Sequence, residues 1–123
     1  MPTEPGDRST KSKVLFVCNQ NRLRSPTAEK LYRGASDLEV RSAGVDRDAT
    51  VPVTADLLEW ADVVFVMEKR QRNLIRKRFG DLYERKRIVC LYIPDDYDFM
   101  EPRLVDLLSA RLAPHIGAPA VGA

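Results

Sequence analysis

Cys18, Arg24 and Ser25 fall within the run Cys18-Asn19-Gln20-Asn21-Arg22-Leu23-Arg24-Ser25, and their side chains suit the binding of an oxyanion beside a nucleophilic sulfur. A thiol has an ordinary pKa of about 8.5, which drops to about 3.5–7.5 at a helix N-terminus beside an arginine. Cys18 is therefore expected as a thiolate. Arg24 offers a planar fork that holds two phosphate oxygens at once, a geometry lysine cannot reproduce. Ser25 can donate its hydroxyl to the sulfur, and Asn21 tolerates the left-handed backbone that a tight anion-wrapping loop demands. Asn19, Gln20, Asn21, Arg22, Leu23, Arg24 and Ser25 are thus the expected phosphate-binding residues.

Two elements must position this run. Val14-Leu15-Phe16-Val17 has the residue types of a strand and leads straight into Cys18, while Pro26 suits the first turn of a helix, where its missing N–H is not needed. A strand-to-helix loop aims backbone N–H groups and the positive end of the helix dipole into its mouth, so an oxyanion is its natural guest.

The C-x5-R-S spacing behind a strand resembles the loop of the low-molecular-weight protein tyrosine phosphatase family. The resemblance implies that Cys18 attacks phosphorus to give a cysteinyl-phosphate, that Arg24 and the loop amides bind the phosphoryl oxygens, that Ser25 steadies the thiolate, and that neither metal nor cofactor takes part. Two positions depart from the family pattern: Gln20 stands where a glycine is usual, and Leu23 where a second cysteine is common. The family's general acid lies in an Asp-Pro-aromatic triplet, and Ile93-Pro94-Asp95-Asp96-Tyr97 resembles it with Asp96 in place of the proline. On that alignment Asp95 is the acid and Tyr97 an aromatic wall beside the substrate ring. Asp96 is the alternative acid, with Asp98 and Glu101 also available. Adjacent carboxylates beside a bound dianion would raise each other's pKa, as an acid working near neutrality requires.

From Lys13 onward short apolar runs alternate with longer periodic ones, the pattern of a parallel sheet covered by helices. Strands are expected at 13–17, 38–41, 62–67 and 87–91, and helices at about 26–35, from near Thr54 to Trp60, at 68–79 and at 101–112. The resulting fold is a three-layer α/β/α domain with a four-stranded parallel sheet in order 2-1-3-4, the low-molecular-weight phosphatase arrangement. Right-handed crossovers leave few other topologies, and strand one then lies next to the point where strand order reverses, the place where open sheets bind ligands. Residues 1–12 read as a disordered leader, 13–113 as the domain and 114–123 as a flexible tail. The stretch Val45–Val53 is short compared with the family's substrate loop. Trp60 reads as core and His115 as a solvated loop residue.

The 123 residues carry 20 Lys and Arg against 18 Asp and Glu, a net charge of +2 that argues against a general nucleic-acid binder. Two cysteines, no signal-peptide pattern and no long apolar run point to a soluble, cytoplasmic protein without membrane association; the sequence does not fix an oligomeric state, and a monomer is the expectation. The expected partner is a phosphotyrosine protein or a small phosphomonoester. Lys69, Arg70, Arg72, Arg76, Lys77 and Arg78 make the third helix strongly basic. Such a stripe is ordinarily a solvated face, with an acidic partner or RNA as the alternative. Two other functions fit the scaffold: a non-catalytic phosphate, phosphoprotein or RNA-binding module, and an arsenate reductase. The latter relays oxidation through further cysteines, and only Cys90, expected to be buried and inert on strand four, is available.

Overall fold

The four apolar runs form four parallel strands in the order β2-β1-β3-β4 in a computed structural model that describes residues 11–119. They are β1 (Ser12–Cys18), β2 (Leu38–Gly44), β3 (Val63–Val66) and β4 (Arg87–Cys90). β1 and β3 are buried on both faces, which explains why their sequences are nearly unbroken Val, Leu and Phe and do not alternate. Four helices cover the sheet: α1 (Arg24–Tyr32), α2 (Ala55–Trp60), α3 (Lys69–Arg85) and α4 (Pro102–Ile116).

The two faces have separate cores. On one, Phe16, Phe65 and Met67 pack with Ala28, Leu31 and Tyr32 of α1 and Leu104, Leu108 and Leu112 of α4. On the other, Leu15, Val17, Val64 and Val66 pack with Leu58 of α2 and Ile75 and Leu82 of α3. Strand order and layering agree with the sequence expectation; several boundaries do not. β2 continues to Gly44, three residues beyond its expected end, because Ser42, Ala43 and Gly44 pair with Phe16, Val17 and Cys18. α1 begins at Arg24 and ends at Tyr32, so Ala35 only packs against the core from the turn that follows.

α3 runs on to Arg85, through a break at Phe79 and Gly80 where φ and ψ leave the helical range. α4 passes through Pro114 to Ile116, so the expected tail from 114 begins as helix. The Tyr32 hydroxyl donates to the Gly117 carbonyl at 2.7 Å and ties this end down. His115 is therefore a helical residue, its ring edge-on to Phe65. Trp60 is half-buried beneath the Arg41 guanidinium instead of fully in the core. Ser12 already belongs to β1; the rest of the expected leader, apart from Lys11, lies outside the described residues. Among the described residues no helix is long and apolar enough to cross a membrane.

Candidate active site

All four strands end at one edge, and each sends its following loop toward Cys18. The Cys18 loop is fixed first through its carbonyls. Those of Cys18, Asn19 and Gln20 accept from the backbone N–H groups of Val45, Asp46 and Thr50 at 3.0, 2.9 and 3.1 Å. In a trans peptide the C=O and the next N–H point in opposite directions, so turning these carbonyls outward turns the N–H groups of Asn19, Gln20 and Asn21 inward. Consistent with this, the Asn21 N–H donates to Cys18 Sγ at 3.3 Å. Asn21 makes the turn at φ 58°, the left-handed conformation anticipated for it.

Close approach of β2 makes this possible. A Cβ on Gly44 would lie 2.5 Å from the Asn19 carbonyl oxygen and 2.8 Å from the Asn21 nitrogen. Gly44 is thus a packing requirement of the loop, beyond the turn role its sequence context suggests.

Around the sulfur, Ser25 Oγ lies 3.0 Å from Cys18 Sγ and 3.2 Å from the Ala43 carbonyl, while the Asn21 amide donates to both Ser25 Oγ and Ser42 Oγ at 2.9 Å. Ser42 in turn donates to Glu29 Oε1 at 2.6 Å. Because Asn21 supplies one proton to Ser25, the single Ser25 hydroxyl proton is free for either the sulfur or the Ala43 carbonyl. The network can therefore serve a thiolate as well as a thiol.

Arg24 is 1% exposed. Its Nη1 donates to Glu68 Oε1 and to the Ile93 carbonyl, both at 2.7 Å, and its Nε lies 3.6 Å from Asp95 Oδ1. A buried guanidinium without such partners would be strongly destabilising. Glu68 caps α3, its own N–H bonded to the Gln71 side chain in a capping box. From the same helix end, Gln71 Nε2 and Arg70 Nη1 donate to Asn19 Oδ1 at 2.8 and 2.6 Å, and Arg70 Nη2 reaches Asp46 at 3.1 Å.

Cys18, Asn19, Gln20, Arg22, Leu23, Arg24, Asp46 and Asp95 enclose a cavity of about 320 Å³. Of the residues singled out from sequence, Asn21 and Ser25 sit behind this cavity as supports. Asp95 lines it and Asp96 does not. Tyr97 also stays outside: it packs on the α1–α4 core and lies beneath the Arg103 guanidinium, 5.5 Å away, because its ring gains more from that apolar face than from solvent. The structure thus places Tyr97 apart from the residues that line the cavity, where the expectation put it beside the substrate ring. Glu101 is also spoken for. The Asp98 backbone N–H, and after it Arg103, lower the pKa of its carboxyl, and it does not line the cavity.

Glu68, Asp46, Arg70 and Gln71 were not read as site residues from sequence. The signal lay in topology: each follows the C-terminal end of a strand adjacent to β1, where side chains converge on the switch point.

No family model matches the chain. The protein-arginine-phosphatase of Bacillus subtilis is 26% identical, over 72% of this chain and 78% of that protein. A structure of the YwlE arginine phosphatase, a cysteine-to-serine mutant with a phosphorylated active-site serine, is 25% identical with a TM-score of 0.62, covering 85% of this chain and 95% of that one. The fold is that of the low-molecular-weight protein tyrosine phosphatases. Their fold is shared by the tyrosine phosphatase Wzb from Escherichia coli K30, solved with phosphate, at a TM-score of 0.65 and 20% identity over 81% of this chain and 92% of that one. The low-molecular-weight phosphatase sheet order and its helices on both faces are those described above.

Proposed function

We propose that the protein hydrolyses phosphoric monoesters, phosphotyrosine in proteins foremost, through a cysteinyl-phosphate on Cys18. The observation that carries this reading is the Asn21 N–H donating to Cys18 Sγ from a loop whose carbonyls are turned outward, with the Ser25 hydroxyl 3.0 Å from that sulfur. Donors already aimed where charge will sit need no reorganisation during reaction, and each is worth several kcal/mol, about 2.7–4.

In the first step the Cys18 sulfur forms a bond to phosphorus while the ester P–O bond breaks, and Asp95 gives its proton to the departing oxygen. Arg24 Nη1 is held by Glu68 and the Ile93 carbonyl, which leaves the Nε and Nη2 edge to take two phosphoryl oxygens. In the second step water attacks phosphorus, the P–S bond breaks, Asp95 takes up a proton and inorganic phosphate leaves. The phosphorylated serine reported for the YwlE mutant supports a covalent route at the equivalent position.

A second substrate, phosphoarginine, is favoured by the name of the B. subtilis relative. Arg22 speaks against it here. This exposed side chain lines the cavity, donates to Gln20 Oε1 at 3.1 Å, and has no carboxylate partner among the described residues. Its charge would repel a guanidinium leaving group and tolerate a neutral phenol.

The test is phosphate release from p-nitrophenyl phosphate, and from matched phosphotyrosine and phosphoarginine peptides, by wild type and Cys18→Ser in the presence of chelator. We expect turnover by wild type, preference for phosphotyrosine, and none with Cys18→Ser. Turnover by Cys18→Ser would remove covalent catalysis from the mechanism, and preference for phosphoarginine would replace the substrate.

A further inference from the structure

Beside the cavity runs a groove of about 510 Å³ lined by Glu68, Lys69, Arg70, Tyr92, Ile93 and Pro94. It is continuous with the chemistry, because Glu68 and the Ile93 carbonyl are the two groups bonded to Arg24 Nη1. Tyr92 is 54% exposed at φ 56°, an arrangement unfavourable for a large aromatic in both backbone and side chain. It is nevertheless fixed, since Arg111 of α4 donates to the carbonyls of Leu91 and Tyr92.

The ions of the two concavities do not cancel. Arg24 is matched by Glu68 and Asp95, and Arg70 by Asp46, whereas Lys69 and Arg22 have no carboxylate partner among the described residues. Lys69 and Arg70 also open α3, with no acidic residue in its first turn. Cations there oppose the helix dipole, so these positions weaken the helix they begin.

We propose that this groove binds an acidic peptide segment flanking the phosphorylated residue, with Lys69 facing its carboxylates and the Tyr92 and Pro94 rings packing on its backbone. The inference rests on the phosphatase reading of the Cys18 cavity and adds a sequence preference to it. Complementary charge at the rim of a site acts mainly through the association rate and fades with salt.

Three phosphotyrosine peptides, identical except for three flanking Glu, Ala or Lys residues, are assayed beside p-nitrophenyl phosphate. Labelled peptides are also titrated onto the Cys18→Ser protein by fluorescence anisotropy. We expect kcat/KM to favour the Glu peptide over the Lys peptide roughly tenfold at low salt and much less at 0.5 M. Lys69→Glu should reverse that order and leave p-nitrophenyl phosphate turnover within about twofold. Because a glutamate in the first turn suits the dipole, the variant should fold at least as well, so lost peptide binding cannot be laid to unfolding. Tyr92→Ala should weaken all three peptides alike. Equal rates for the three peptides, an unchanged order in Lys69→Glu, or tighter binding of a 5′-phosphorylated RNA oligonucleotide than of the Glu peptide would overturn the proposal. Absence of any turnover would instead sink the phosphatase reading, and the anisotropy arm would still decide whether acidic peptides occupy the groove.

Discussion

Cys18 and Cys90 lie on opposite faces of the sheet with β3 between them. Cys18 belongs to the α1–α4 core and Cys90 packs, half-buried, with the α2–α3 core at the end of its strand. Two strand spacings separate their backbones by roughly 10 Å, beyond the ~7 Å Cα limit for a disulfide. Peroxide should therefore inactivate the protein by carrying Cys18 to sulfinic and sulfonic acids, with no internal disulfide. Peptide mass spectrometry decides this; a Cys18–Cys90 bond would revive arsenate reduction as the activity.

Arg24→Lys is expected to lower kcat/KM by about 10²–10³, since charge survives and the fork does not. Glu68→Gln should behave differently. It keeps an acceptor for Nη1 but removes a carboxylate from the site, so inorganic phosphate should inhibit the variant roughly threefold more tightly. Inhibition constants measured side by side test both statements, and weaker phosphate inhibition in Glu68→Gln would show that Glu68 acts mainly by placing Arg24.

Asp95→Asn should slow an alkyl or unactivated aryl phosphate by about 10²–10³ while barely affecting an activated one, because a good leaving group needs little protonation. Asp96→Asn should do neither, as Asp96 does not line the cavity. Brønsted plots over a series of substituted phenyl phosphates provide the comparison. Exchange of the two behaviours would move the acid by one residue.

Gly44→Ala should abolish activity out of proportion to its size. The added methyl meets main chain at 2.5 Å and 2.8 Å, and main chain cannot rotate away as a side chain can. A stability loss of about 1–3 kcal/mol is expected, measured by urea unfolding. Near-normal turnover would mean that the loop is far more pliant than its bonding suggests.

Glu101 provides a pH test. Its folded-state pKa is depressed by the Asp98 N–H, so its contribution to stability is fully present above the unfolded value of about 4.3 and is lost as pH falls through the folded one. Glu101→Gln should narrow the difference in Tm between pH 7 and pH 3.5. An unchanged difference would show that the turn from Asp98 to Glu101 does not depend on that charge.

The strands and the Cys18 loop were legible because both are local: uninterrupted Val and Phe runs mark covered strands, and the C-x5-R-S spacing marks the loop, while the sheet order followed from crossover handedness and the family resemblance. Asp95, singled out by its place in a short motif, lines the cavity. Glu68, Asp46 and Arg70 were hidden because charged residues at helix starts and in loops have the same composition whether they face water or a buried guanidinium. The packing of Tyr97 on the α1–α4 core was hidden for a related reason, since an aromatic after two aspartates gives no sign of which way it turns. The break at Phe79 and Gly80 also escaped periodicity, because Leu82 resumes the apolar face beyond it.

The three carbonyls of the Cys18 loop are held by the N–H groups of Val45, Asp46 and Thr50, and such groups are carried by every residue but proline. Evolution is therefore free to rewrite most of the side chains between Gly44 and Val53 while the anion loop keeps its shape. Drift is constrained where the backbone cannot substitute for a side chain, at Gly44 and at the Cys18, Arg24 and Ser25 triad. A lineage can in this way diverge widely in letters, retool the rim for a new clientele, and still pass on the same cradle.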